Sequence, residues 1–169
     1  MRRWAAVSSM PGPYDAPVTF TAGRKEHALR YYRSDDGKAS FVRLERGSDM
    51  LASLNEAAQQ LGIEAGTVQA IGAVSELAVG FFRQEEQEYQ KIPFPEHLEI
   101  GSALGNVSLK DGQPFIHMHV TATRPDGSTV GGHLMEGTKV FLLEAYFREL
   151  GGPPPIREQE EDLGLAVWQ

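Results

Sequence analysis

A three-residue turn signal, Pro125-Asp126-Gly127, constrains this chain more than any other feature, because it sets the register of the strands on either side. Pro125 presets φ for a type I turn, and Asp126 suits the next position. Gly127 accepts the left-handed conformation that closes a three-residue hairpin with a bulge. Arg124 then pairs with Ser128, and counting back places His119 opposite His133. Directly opposed residues share a face of the sheet, with Cβ atoms roughly 5 Å apart. His117 lies two residues before His119 on the apolar run Phe115-Ile116-His117-Met118-His119, so it points the same way. Three imidazoles therefore gather on one face of one hairpin. A loop of two or four residues would shift the register by one and send His133 to the other face.

Neutral imidazoles bind first-row metals, and three protein ligands leave a coordination position open for water or substrate. His117, His119 and His133 are the candidate ligands, and zinc is the leading candidate ion. The competing reading makes them packing or hydrogen-bonding histidines. His27 and His97 stand alone in the sequence and are given no role. Glu136 and Glu144 are the nearest carboxylates in sequence, candidates for a general base or a partner to the ligands. Glu144 sits among Phe141, Leu142, Leu143 and Ala145, where an unpaired carboxylate would be costly.

Other chemistries find less support. A cupin site also uses a His-x-His pair but expects a Glu soon after it, and Val120 to Arg124 contain none. There is no Ser–His–Asp order and no phosphate-binding loop. The chain has no cysteine, which excludes disulfides and thiolate metal sites. No apolar run approaches a membrane span, and Trp4 to Val7 is too short for a signal-peptide core. A soluble cytoplasmic protein is expected.

The net charge of −7 is unevenly spread. Residues 1–46 hold 9 Lys/Arg against 5 Asp/Glu, and residues 47–169 hold 7 against 18. An acidic body is a poor match for a phosphate backbone. Arg24, Lys25, Arg30, Arg33, Arg43 and Arg46 are the weak candidates for nucleic-acid contact.

At 169 residues the chain suits one compact domain. Residues 1–39 read as an N-terminal arm, with a possible strand at Val18–Thr21 and the start of a hairpin. Strands are expected at His27–Arg33 and Lys38–Glu45, on either side of Ser34-Asp35-Asp36-Gly37. Leu51, Leu54, Ala57, Ala58 and Leu61 then recur on one helical face. Ser48 is the natural N-cap, Asp49 favours the positive end of the dipole, and Gly62 is a ready stop. Thr67–Val74 and Glu76–Phe82 read as two strands, Glu85 to Glu88 as a loop, and Pro93 and Pro95 as the frame of another. Leu98–Asn106, Val107–Leu109, the histidine hairpin and Lys139–Phe147 supply the remaining strands. Residues 40–150 form the main domain, and 151–169 a Pro-rich, acidic tail that is either disordered or docked on a neighbour. About seven strands in runs, with one or two helices, argue for an α+β domain on a mostly antiparallel sheet.

The run His117 to Gly127, followed by Gly131-Gly132-His133-Leu134-Met135-Glu136-Gly137, resembles the signature of the PPC (plants and prokaryotes conserved) family, in its stand-alone prokaryotic form. Arg46 to Asp49, Gly72 to Ser75, Leu98 to Ile100 and Gly105 to Ser108 agree with it. The likeness covers roughly residues 40–148. It implies an antiparallel sheet with a packed helix, a homotrimer, and a metal held by the histidines near the subunit junction. Similar plant domains follow an AT-hook that binds the minor groove, and prokaryotic members are often labelled DNA-binding. This chain has no Arg-Gly-Arg-Pro hook. The leading expectation is a trimeric metal-binding domain, with a DNA-associated regulator or a metal-free assembly module as alternatives. No reaction is assigned.

Overall fold

The computed structural model describes residues 30–169. The possible strand at Val18–Thr21, the residues Arg24, Lys25 and His27, and the rest of the arm through residue 29 lie outside the described residues.

Strands β1 (Arg30–Arg33) and β2 (Ala39–Leu44) form the expected hairpin. Its turn is held by the Asp36 carboxylate, which accepts from the Ser34 hydroxyl and the Lys38 amide. Val42 and Leu44 point into the core while Phe41 and Arg43 point out, the period of two that a half-buried strand requires. Helix α1 (Met50–Leu61) buries Met50, Leu54, Ala57, Ala58 and Leu61 and stops at Gly62. Its N-cap is Asp49, one residue later than the sequence suggests. The Asp49 carboxylate accepts from the Ala52 amide at 3.0 Å, while the Ser48 hydroxyl turns back to the Glu45 carbonyl. The second Asp49 oxygen accepts from the Gly137 amide at 2.7 Å and ties the helix start to a distant loop.

The largest departure from expectation is β3 (Gly66–Arg83), one strand of 18 residues in place of two. Register shifts between Ala70 and Gly72 against one neighbour, and between Ala73 and Glu76 against the other, bend the strand without ending it. Gly72 is needed at the bend: φ is +143°, and a Cβ there would lie 2.1 Å from the Leu142 carbonyl oxygen. The bend lets one strand serve two sets of partners. Its first half pairs with β5 (Leu98–Lys110) and β8 (Lys139–Glu149). Its second half pairs with β4 (Glu88–Phe94) and with β7 (Thr129–Leu134).

Pro93 lies within β4, not in a loop. Among the described strands β4 pairs only with β3, so the missing amide of Pro93 breaks no ladder on the free side. β5 is continuous through residues 98–110 and pairs with β6 (Gln113–Thr123) across an Asp111-Gly112 turn. The eight-stranded sheet runs β1-β2-β8-β3-β5-β6-β7, with β4 on β3, and the added β3–β7 pairing folds its far end back on itself. All of these pairings are antiparallel, so the α+β class expected from the sequence is the fold observed.

The helix covers one face of the sheet. Val42, Val68, Ile116, Met118, Val120, Leu143 and Phe147 are buried in one core with its apolar side. Asn55 fixes the docking by accepting from the Ile116 amide at 2.9 Å. Residues 157–168 are ordered as a second small sheet, β9 (Arg157–Glu160) with β10 (Leu165–Trp168). The hairpin is anchored by the Leu109 amide donating to the Pro155 carbonyl and by a bridge from Leu109 to Ile156. No helix among the described residues is long and apolar enough to cross a membrane.

Candidate metal centre

The turn closes as its residues dictate. The Arg124 amide donates to Ser128 and the Gly127 amide donates to Arg124, both at 2.9 Å, with Gly127 at φ +83°. Asp126 accepts from the Ser128 amide at 2.8 Å, and hydrogen bonding to Ser128 holds its carboxyl below the usual range. Arg124 is pinned by an ion pair with Glu96 at 2.9 Å. The register that follows pairs Thr123 with Thr129 and His119 with His133.

His117, His119 and His133 converge. Their ring centroids lie 5.0 to 5.4 Å apart, and one nitrogen from each falls within 4.8 Å of the others. His119 is exposed, and the other two are partly buried. Burial pushes His133 down to about 4, assisted by His117, His119 and Arg157 nearby. Burial first, then Arg157 and His119, lowers His117 as well. At neutral pH both therefore keep a lone pair available.

The set fits a divalent cation. A tetrahedral ion with bonds of about 2.05 Å needs ligand atoms roughly 3.4 Å apart. Side-chain rotations that move each nitrogen by about 1 Å would reach that spacing. Buried Nδ1 of His133 has no hydrogen-bond partner among the described residues, a costly state that ligation at this atom would relieve. Among the described residues no carboxylate belongs to the cluster.

The other sequence candidates lie elsewhere. Glu136 is exposed in the connection after β7. Glu144 is exposed on β8, opposite Arg43 and Ile71, because strand alternation turns its apolar neighbours Leu143 and Ala145 inward instead. Two strands, β3 and β5, separate β8 from the histidines on β6. His97 borders a separate groove with Arg124, Pro125 and Phe141. Of the basic residues described, Arg30 faces Arg43 across the β1–β2 hairpin. Arg33 is bound to Glu149 and to the Gly37 and Leu61 carbonyls. The Arg46 guanidinium lies 4.6 Å over the Phe141 ring.

Two neighbours of the centre carried no signal in the sequence. The Tyr89 ring lies 4.8 Å from that of His133. Arg157, only 8% exposed, stacks 5.1 Å over Phe115 and donates to Ser108 Oγ at 2.8 Å, Asn106 Oδ1 at 3.1 Å and the Ala166 carbonyl at 2.9 Å. Asn106 is the residue directly opposite His117.

Residues 31–151 match the sequence profile of the Plants and Prokaryotes Conserved (PCC) domain. The chain belongs to this family. Solved structures similar to this PCC chain include a metal-containing protein from Archaeoglobus fulgidus, 37% identical over 85% of this chain and 99% of that one, with a TM-score of 0.75. A plant- and prokaryote-conserved protein from Pyrococcus horikoshii is 34% identical over 88% and 97% of the two chains, with a TM-score of 0.73. A "putative DNA binding protein" from Bacteroides thetaiotaomicron is 27% identical over 83% and 96%, with a TM-score of 0.77. No curated relative matches the chain.

Proposed function

We propose that this PCC protein is a homotrimer in which His117, His119 and His133 hold one divalent ion per chain, with zinc the first candidate. The observation that carries the reading is the convergence of three nitrogens within 4.8 Å on neighbouring strands, with no carboxylate among the described residues in the cluster. The metal-containing Archaeoglobus relative supports it. A metal in such a site acts as a Lewis acid on whatever oxygen occupies its open position. The chain's own part is to present three imidazoles on one hairpin and to leave His119 open to solvent.

Support for the trimer comes from the family resemblance and from the uncovered sheet face. Ile71 is 58% exposed and Leu104 59%, with Phe41, Phe141 and Leu142 also exposed. Exposed apolar sets of this kind mark association surfaces.

The test is metal content by mass spectrometry on purified, untagged protein, with its mass measured in solution. The expected result is about one ion per chain and three chains per particle. His119→Ala should lower occupancy sharply and His97→Ala should not. Protein that takes up no ion after zinc reloading would overturn the metal reading, and a monomer would overturn the trimer.

Association with DNA is the second reading, favoured by the Bacteroides relative and by the facing pair Arg30 and Arg43. Real phosphate contacts would make duplex binding fall steeply with salt. Absence of binding even at low salt would end this reading.

A further inference from the structure

Among the described residues, the charge around the histidines is not balanced. Arg157 carries a full charge at 8% exposure, and among the described residues no carboxylate pairs with it. Its partners Ser108 Oγ, Asn106 Oδ1 and the Ala166 carbonyl are all neutral acceptors. A guanidinium has five N–H donors, so two remain without a described protein acceptor. Buried charges are normally paired, and an uncompensated one is costly. The three histidines add no negative charge. A divalent ion on them would bring the local total to about +3, with nothing in the described chain to offset it.

The placement of Arg157 is fixed. It reaches across from the C-terminal hairpin to Asn106 and Ser108 on β5, which stand opposite His117 and Phe115 of β6. The stack on Phe115 and the contact with Asn106 put the guanidinium beside His117. Its planar fork suits an oxyanion better than a point charge would. Arg157 lies outside residues 31–151, which match the family profile.

We infer that the three-histidine centre takes an oxyanion, a carboxylate or a phosphate group, at its open position, and that Arg157 is the protein anchor for that anion. This rests on the metal reading above. The ligand class is thus an anionic small molecule, and the C-terminal hairpin belongs to its binding site.

The test uses the full chain loaded with cobalt(II), whose visible spectrum responds to a change of ligand. Inorganic phosphate and acetate are titrated separately, and cobalt content is measured beside each titration. Wild type should show a saturable spectral change with at least one anion, and the tighter of the two identifies the class. Arg157→Gln keeps a hydrogen-bonding side chain and removes the charge, and it should weaken binding at least ten-fold with cobalt content unchanged. Asn106→Asp is nearly isosteric, so it bypasses any folding defect of the first variant. It supplies the missing counter-charge and should weaken anion binding to a similar degree. Full cobalt occupancy with no response to either anion would overturn the anion proposal and leave the metal reading standing. Unchanged midpoints in both variants would overturn the role of Arg157. Failure to bind cobalt at all would overturn both readings, and the cobalt measurement identifies that case.

Discussion

The two faces of the large sheet are cut from the same strands and obey different rules. Along β6, Ile116, Met118 and Val120 turn inward, while His117 and His119 turn outward. The inner face is a closed apolar core sealed by α1. The outer face carries one row across six strands, Phe41, Tyr146, Gln69, Leu104, His119 and His133, each directly opposite the next. That row mixes aromatic, aliphatic, amide and imidazole groups. Nothing in the described chain covers Phe41 or Leu104. The fold needs the inner face to bury area, whereas the outer face adds little to the stability of a single chain. Its composition is therefore not explained by the folding of a single chain.

Breaking the inner face should have the largest effect. Phe147 is fully buried beside Val68, and Phe147→Ala should cost about 3–5 kcal/mol in chemical denaturation. The matching outer substitution, Leu104→Ala, should cost under about 0.5 kcal/mol in a monomeric chain. Comparable losses from both would erase the distinction between the faces. Next comes Ile71→Asp, which puts a charge at an exposed position on the bend of β3. It should leave the circular dichroism spectrum unchanged and weaken self-association at least ten-fold, read by sedimentation. An unchanged particle mass would remove the outer face from the assembly.

The centre itself sharpens the comparison through pH. His133 is lowered to about 4 in the folded chain, mainly by burial. An unfolded histidine titrates near 6.5. Between those values the unfolded chain binds more protons, so stability falls as pH drops from about 6.5 toward 4. Metal-free protein should lose roughly 2 kcal/mol over that range, after allowance for the partly open ring. His133→Asn should flatten the profile, and an equally steep profile in that variant would place the effect elsewhere.

These faces were unequally legible in the sequence. The histidine pairing could be counted because it depends on one local turn, and Pro125, Asp126 and Gly127 state that turn chemically. Helix α1 was legible for the same reason, since its spacing and Gly62 are local. The continuity of β3 was not, because a bulge is a relation between partners and Ser75 inside the run looks like a break. Pro93 was misplaced because an edge strand is defined by the neighbour it lacks. Arg157 was beyond reach, since no local pattern joins residue 157 to Asn106 and Ser108, about fifty residues away. Long-range placement, not composition, decides which outer-face residues meet.

A more modest effect than that of the core substitution tests how the covered face is held. Asp49 caps α1 through Ala52 and also accepts from Gly137, just beyond the strand that carries His133. Loss of a cap costs about 1 kcal/mol. Asp49→Ala should therefore lower stability by about 1–2 kcal/mol, because the Gly137 amide also loses its acceptor. Asp49→Ser should recover the cap alone, leaving Gly137 unpaired. If Asp49→Ser restores full stability, the link to Gly137 contributes nothing, and helix and hairpin are joined only through the apolar core. If it restores about half, one carboxylate serves both the helix start and the loop behind the histidine strand.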